Sequence, residues 1–339
     1  MLAIDIHGHF LPELLISRLK ENKETFHFVQ VEDIPEGTFR FKLGDGEWTR
    51  PVHPDLMNLE NRKKVLAKNE IDMQINACWL DIFGYNLTPK QGAEWSRFIN
   101  KVLIEEFEDE NMFVPLATVP LQDGDLAAEE LENAAKEGHA GVMIGSWIER
   151  GQGEPPIDLD DPSLYPFWEK ASDLQMPVFL HPVFAGQDSR TKPLGMVNTV
   201  ARPNETTVAL TKILYSGIPH KYPELKIIIS HGGGSLPFIL GRLQRNYDLL
   251  ASEGLEIFNP TEGFKKLYFD SVVFEPEALR FLLSLVDEEK IMLGSDDPFP
   301  IRDPKPRAVI ESEKLGLSKS TKKAFLSGNA LKLFNLEIK

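Results

Sequence analysis

Short apolar runs alternate with longer amphipathic runs along most of this 339-residue chain. The short runs have the length and residue types of strands buried on both faces, and the longer runs have the spacing of helices that cover a sheet. This alternation is typical of βα units joined into a parallel sheet. The predicted strands span residues 2–6, 73–79, 113–118, 140–144, 177–180, 225–230, 267–270 and 290–293.

Eight strands with helices between them predict a (β/α)₈ TIM barrel, a fold that takes about 250 residues. The helices are expected at 89–108, 124–137, 205–216, 235–250, 276–286, 305–315 and 320–334. The remaining length fits a small insertion better than a second domain, so we expect residues 1–339 to form a single domain.

Residues 26–54 interrupt this rhythm with a polar, turn-rich segment between the first strand and the first long helix. Apolar and polar residues alternate over 38–43, and Gly44-Asp45-Gly46 follows directly. This pattern predicts a β-hairpin with Gly-Asp-Gly at its turn. Loops that follow a barrel strand lie over the barrel mouth. We therefore expect 26–54 to be a small, lid-like insertion.

Composition excludes several classes of protein. The formal net charge of −15 argues against nucleic acid as a partner. An anionic substrate would need local cations, which makes individual arginines of interest. No apolar stretch is long enough to cross a membrane, and no export signal is recognisable. The chain has one cysteine, Cys78, which excludes a disulfide framework and makes the cytoplasm the expected location.

Candidate metal ligands stand at the ends of several predicted strands. In Asp5-Ile6-His7-Gly8-His9 the two histidines share one face of a strand. His181 and His231 each close a later strand, and Ser295-Asp296-Asp297-Pro298 follows the last one. The carboxyl ends of barrel strands meet at one rim. These residues should therefore converge there, with Asp296 favoured over Asp297 because the chain turns away at the proline.

The alternative is that these polar side chains are satisfied by one another without a metal. Histidine is uncommon at the end of a buried strand unless it has a role there, so we favour a metal site. Three nitrogens and one carboxylate suit Zn²⁺, while Mn²⁺ or Fe²⁺ could bind the same set. No organic cofactor is expected.

Four motifs recur in an order that resembles a known family. They are Asp-Ile-His-Gly-His, Leu-His-Pro, Ser-His-Gly-Gly-Gly-Ser and Leu-Gly-Ser-Asp-Asp-Pro-Phe-Pro. Together they resemble the amidohydrolase-related metal-dependent decarboxylases, a family that includes the carboxymuconate-semialdehyde decarboxylases, over residues 4 to about 336. The resemblance implies one divalent metal held by His7, His9, His181 and Asp296.

The same resemblance implies roles for three more residues. His231 would be the catalytic histidine, and Arg50 in the hairpin would bind a substrate carboxylate. Arg242 would reach the site of the other subunit across the interface of a homodimer or a dimer-based oligomer. The fourth strand ends in Gly145-Ser146 and lacks the lysine of the two-metal amidohydrolases, which favours one metal.

The chain departs from the family pattern at two positions that are expected to line the barrel mouth. Val183-Phe184 stands where the family usually has Trp-Asp, and Asp297 stands where it usually has Tyr. Both differences bear on the substrate more than on the class of reaction.

The leading hypothesis is non-oxidative decarboxylation of an unsaturated or aromatic carboxylic acid, such as a carboxymuconate semialdehyde or a hydroxybenzoate. The alternative is a metal-dependent hydrolase or hydratase of the same superfamily, since the strand-end ligands do not distinguish these reactions. A third reading is a non-enzymatic protein that binds a metal or a small molecule. The expected partner is a small-molecule carboxylate substrate.

Overall fold

A computed structural model describes residues 1–35, 38–151, 153–183 and 188–337. Eight strands form one sheet in which every strand pairs in parallel with its neighbours along the chain. They are β1 (Ile4–Phe10), β2 (Met73–Cys78), β3 (Phe113–Ala117), β4 (Gly141–Gly145), β5 (Val178–His181), β6 (Ile227–Ile229), β7 (Tyr268–Asp270) and β8 (Ile291–Met292). All eight predicted strands are confirmed, and β1 runs four residues further than expected.

The sheet closes into a barrel between its first and last strands. The amide of Ile6 donates to the carbonyl of Leu293 at 2.9 Å, and that of Asp296 donates to the carbonyl of His7 at 2.9 Å. The amide of His9 donates to the carbonyl of Asp297 at 2.8 Å. The predicted TIM barrel is therefore confirmed, and its closure joins the two segments that carry the metal-ligand candidates.

Helices surround the barrel. Within the described residues they are α1 (Glu13–Glu21), α2 (Leu59–Lys68), α3 (Pro89–Phe107), α4 (Gly124–Glu137), α5 (Tyr165–Asp173), α6 (Arg202–Ser216), α7 (Ile218–Lys221), α8 (Leu236–Ser252), α9 (Pro260–Phe264), α10 (Pro276–Leu283), α11 (Pro306–Glu311), α12 (Lys319–Lys323) and α13 (Asn329–Leu333). Local sequence sets their ends: Thr88 and Gln91 form a capping box at the start of α3. None of the helices in the described ranges is long and apolar enough to span a membrane.

The hairpin insertion is present, but its turn lies elsewhere than predicted. Strand Val29–Asp33 pairs antiparallel with strand Phe39–Leu43, and Asp33 lies opposite Phe39. The turn therefore falls between these two residues, part of it (36–37) outside the described residues. The placement of Gly44-Asp45-Gly46 at the turn was wrong: this segment follows the second strand. The sequence concealed the first strand because most of its residues are exposed.

A second, unpredicted hairpin follows β4. Its strands, Trp147–Ile148 and Ile157–Asp158, are two residues long and antiparallel. Strands this short leave no periodic pattern to detect. Both hairpins contribute side chains to the cavity at the barrel mouth.

Candidate active site

Five side chains from different strands converge at the carboxyl-terminal rim of the barrel. His7 and His9 lie in β1, and His181 ends β5. His231 follows β6, and Asp296 follows β8. The structure therefore brings together every strand-end group that the sequence suggested as a metal ligand, with the exception of Asp297.

The distances within this cluster fit a shared metal ion. The Oδ1 atom of Asp296 lies 3.1 Å from Nε2 of His9 and 3.3 Å from Nε2 of His7. Nε2 of His181 lies 3.7 Å from the same oxygen. Two ligands that are each about 2.0–2.2 Å from a tetrahedral Zn²⁺ stand about 3.3–3.6 Å apart. The separations from the Asp296 oxygen to these nitrogens are therefore close to those of atoms that share one metal ion.

The orientation of the histidine rings also fits coordination. Nδ1 of His7 donates to Oδ2 of Asp270 at 2.6 Å, and Nδ1 of His181 donates to the carbonyl of Pro182 at 3.1 Å. Each bond turns Nε2 toward the cluster, the orientation that a ligand requires. Among the described residues, the buried Nδ1 of His9 and Nε2 of His181 have no hydrogen-bond partner.

Burial and neighbouring charges shift the pKa values of these groups in opposite directions. Burial lowers the pKa of His9 to about 4 and holds the pKa of His181 well below its usual value, so both rings are neutral. Burial would also lower the pKa of His7, but the carboxylates of Asp296 and Asp270 outweigh it and raise that pKa to about 10. Burial would raise the pKa of Asp296, but the surrounding histidines hold it well below its usual value, so this carboxyl remains ionised.

Asp270 is a site residue that the sequence analysis missed. Besides His7, its carboxylate accepts from the amide of His231 at 3.0 Å and from the amide of Gly232 at 2.9 Å. It therefore fixes both a ring of the cluster and the turn that carries His231. The available signal was its position at the end of the seventh predicted strand, on the same rim.

His231 differs from the other four members of the cluster. Its Nε2 lies 3.4 Å from Oδ2 of Asp296, the oxygen that faces away from His9. Its side chain is 17% exposed, whereas those of the other four are at most 3% exposed. Its backbone has a φ of +55°, a left-handed conformation that is uncommon for a residue with a side chain and recurs at functional sites.

Asp297 is directed away from the cluster and belongs to a buried ion-pair network. Its carboxylate lies 2.8 Å from Nε of Arg62 and 3.1 Å from Nε of Arg302. Arg62 also donates to the carbonyl of His9 at 2.8 Å. This network supports the barrel closure behind the cluster. Asp297 is not among the residues that line the cavity, so the expectation that it lines the mouth was wrong.

Gly8, between the two histidines of β1, is required by close packing. A Cβ atom there would lie 2.5 Å from Oδ1 of Asn76 and 2.6 Å from Cδ of Gln74. The register of β1 on β2 shifts between Asp5 and Gly8, as at a β-bulge. Bulges near active sites redirect side chains, and here the shift lies beside His7 and His9.

A cavity of about 840 Å³ opens above the cluster. His181 lies at its base, and Trp48, Trp147 and Phe299 are among its apolar walls. Arg50 also lines it, with its guanidinium 5.1 Å from the centre of the Phe299 ring.

The predicted substrate-binding arginines occupy different places. Arg50 forms a two-pronged ion pair with Asp81, with Nε 2.9 Å from Oδ2 and Nη2 3.2 Å from Oδ1. Arg242 is exposed on α8 and does not line the cavity of its own chain. A third arginine, Arg202 at the start of α6, does line the cavity and was not predicted.

Comparisons with known proteins agree with this architecture. A family model described as "Amidohydrolase" matches residues 4–336. The chain is 32% identical to 2-amino-3-carboxymuconate-6-semialdehyde decarboxylase of Dictyostelium discoideum, over 99% of this chain and 92% of the relative. It is 24% identical to 2-keto-4-carboxy-3-hexenedioate hydratase of a Sphingobium strain, over 98% and 96% of the two chains.

A solved structure provides the comparison of folds. Dihydroxybenzoic acid decarboxylase from Polaromonas, determined with bound manganese and the inhibitor 2-nitroresorcinol, superposes with a TM-score of 0.77. The superposition covers 100% of this chain and 98% of the other at 22% identity. Most of the barrel is therefore shared at low sequence identity.

The first prediction concerns metal content. Purified protein should carry about one divalent ion per chain, and His7→Ala and Asp296→Ala should each lose most of it, since each removes a ligand atom from the centre of the cluster. His231→Ala and the exposed control His53→Ala should retain it. Elemental analysis of the four variants tests this, and full retention in the first two would refute the ligand assignment.

The second prediction concerns pH. Because the pKa of His7 is about 10 without metal, this ring is protonated at neutral pH, and an incoming ion must displace the proton. Metal affinity should therefore fall as pH falls, by about tenfold per unit for one displaced proton. Calorimetric titration in buffers of different ionisation enthalpy counts the released protons. Binding at pH 7 without proton release would contradict the prediction.

Proposed function

This chain belongs to the amidohydrolase family, and from that membership we propose that it is a metal-dependent, non-oxidative decarboxylase of an unsaturated or aromatic carboxylic acid. The observation that carries the proposal is the convergence of four ligand atoms at the base of a cavity that also contains Arg50. A carboxymuconate semialdehyde or a hydroxybenzoate is the expected kind of substrate, as the names of the relatives suggest.

The proposed metal is Zn²⁺, held by His7, His9, His181 and Asp296. A ligand set of three imidazoles and one carboxylate favours zinc, and Mn²⁺ or Fe²⁺ could replace it. When bound, the ion supplies Lewis-acid chemistry that stabilises negative charge on the substrate. The remaining tasks, which are binding, orientation and proton transfer, belong to the residues of the chain.

Arg50 is suited to orient the substrate. Its guanidinium lies over Phe299 and Trp79 and is held in place by Asp81. A guanidinium fixed in this way can bind a carboxylate through parallel hydrogen bonds without first losing side-chain freedom. The aromatic walls of the cavity would pack against a planar unsaturated substrate.

His231 is suited to transfer the proton that the reaction needs. Loss of CO₂ leaves an electron pair on carbon, and that carbon must then gain a proton. An imidazole exchanges protons readily near neutral pH. His231 is the exposed member of the cluster, so it can reach both the substrate and solvent. The hydrogen bond from its backbone amide to Asp270 holds the turn that carries the ring.

A hydratase or hydrolase is the second candidate. The chain is similar to a hydratase over nearly its full length, which supports this alternative. The same cluster could also activate water. The higher identity to a decarboxylase, 32% against 24%, ranks decarboxylation first.

A homodimer is part of the proposal. Phe238 is 82% exposed on α8, one turn before Arg242, and its ring centre lies 6.2 Å from that of Phe281, which is 43% exposed. Exposed aromatic residues beside a functional arginine are typical of an interaction surface. A second copy that covered them would bring Arg242 toward the other chain. A cytoplasmic location, consistent with a buried and unpaired Cys78, completes the proposal.

The third prediction tests the reaction itself. Metal-loaded protein should release CO₂ from at least one acid in a panel of ortho-hydroxybenzoates and carboxymuconate semialdehydes. In D₂O the product should carry one deuterium on the carbon that lost the carboxylate, as protonation follows loss of CO₂. His231→Ala should retain the metal and lose about 10²–10⁴-fold in kcat, the usual contribution of general acid–base catalysis.

Mass spectrometry of the products separates the two candidate functions. A product heavier than its substrate by one water, without CO₂ release, would replace the decarboxylase proposal with the hydratase alternative. Loss of metal from His231→Ala would make His231 a ligand and remove its proton-transfer role.

The fourth prediction concerns assembly. Arg50→Ala and Arg242→Ala should each raise KM about ten- to a hundredfold, the effect of losing a charged hydrogen-bond partner, without loss of metal. Co-expression of the two variants should restore activity, because one site of each mixed dimer then has both arginines. Arg245→Ala, on the same helix, is the matched control. Mixed dimers that form but show no recovery would exclude action of Arg242 across the interface.

A further inference from the structure

Two arginines face the same cavity, although sequence reasoning predicted only one of them from this chain. Arg202, at the start of α6, is 6% exposed and lines the cavity together with Arg50. Its charge acts on the pKa of His9, and the charges of Asp296 and Arg50 act on its own pKa. Arg202 therefore lies close enough to both the candidate metal ligands and Arg50 to interact with them, and it lines the same cavity as His181 and Arg50.

Placing this cation in the cavity has a cost. Burial, with a further contribution from the positive charge of Arg50, lowers the pKa of Arg202 to about 10, which still leaves it charged at neutral pH. Desolvation of Arg202 and repulsion from Arg50, whose side chain is 37% exposed, both destabilise this arrangement unless anions compensate the charges. Asp296 and Asp81 provide part of this compensation, and an anionic ligand would add to it.

The ion pair between Arg50 and Asp81 affects how many negatively charged groups of a substrate the cavity can bind. Asp81 already occupies two of its donor atoms, so a substrate carboxylate would share that guanidinium with a protein carboxylate. A substrate with one carboxylate would thus use only part of the positive charge in the cavity. A cavity of about 840 Å³ has space for a second acidic group.

We propose that Arg202 is a specificity-determining residue that binds a second carboxylate, so that the preferred substrates are dicarboxylic acids. This inference rests on the proposed decarboxylation, and it selects between the two expected substrate classes. A carboxymuconate semialdehyde carries two carboxylates, whereas a hydroxybenzoate carries one. The protein has a net charge of −15, so most of its surface repels a dianion. Two arginines in one cavity would attract it locally.

The fifth prediction tests binding separately from turnover. Calorimetric titration of metal-loaded protein with benzoate and isophthalate, which differ by one carboxylate, should give an affinity at least about tenfold higher for isophthalate. Arg202→Met should lower isophthalate affinity about ten- to a hundredfold and change benzoate affinity less than about threefold. Arg202→Lys should retain part of the preference. The control Arg190→Met removes the same charge from a side chain that is 88% exposed and should change neither affinity.

Several outcomes would overturn the assignment. They are equal affinity of the wild-type protein for the two acids, equal weakening of both by Arg202→Met, and no weakening of either. Melting temperature and metal content identify a variant that fails to fold. In that case the wild-type comparison and Arg202→Lys decide the question.

Turnover of a second matched pair separates this inference from the proposed function. Salicylate and 4-hydroxyisophthalate also differ by one carboxylate. Arg202-dependent binding of isophthalate without CO₂ release from these two acids or from any carboxymuconate semialdehyde of the panel above would refute decarboxylation and leave the assignment of Arg202 standing. Equal kcat/KM for both hydroxy acids, unaffected by Arg202→Met, would support decarboxylation and refute the assignment.

Discussion

The contact between the first and last strands of the barrel is the constraint on which the site depends. His7 and Asp296 are 289 positions apart, yet a backbone hydrogen bond of 2.9 Å joins them. The same closure brings Asp297 into its buried ion pair with Arg62, which in turn holds the carbonyl of His9. Breaking a buried pair leaves an uncompensated charge and costs about 3–5 kcal/mol. Fold stability and ligand geometry are thus coupled at this seam.

Positive and negative charges are distributed unevenly between the protein as a whole and the cavity. The chain is strongly acidic overall, but its cavity contains guanidinium groups from the hairpin and from α6. At the base, carboxylates instead surround the histidines, so that Asp270 orients His7 and Asp296 faces the ligand nitrogens. The molecule therefore places a cluster of candidate metal ligands at the base of a cavity whose wall carries positive charge. This arrangement suits a reaction that joins a metal to a carboxylate.

Much of this organisation could be predicted because buried strands are short and apolar, and polar residues at their ends stand out. That contrast identified the eight strands and the cluster of His7, His9, His181, His231 and Asp296. Asp270 escaped notice because its role depends on contacts across strands that are far apart in sequence. Arg202 was not predicted as a cavity residue because no periodic pattern in the sequence indicates that the start of α6 faces the cavity. The hairpin turn was misplaced because an exposed strand lacks the apolar alternation that reveals a buried one.

The separation of the ligands along the chain has a consequence for how the protein matures. A ribosome adds about 5–20 residues per second, so Asp296 is made about 15–60 seconds after His7. During that interval the candidate ligand set is incomplete, because its carboxylate has not yet been made. The complete set can therefore form only late in synthesis or after it, once the last strand has closed the barrel.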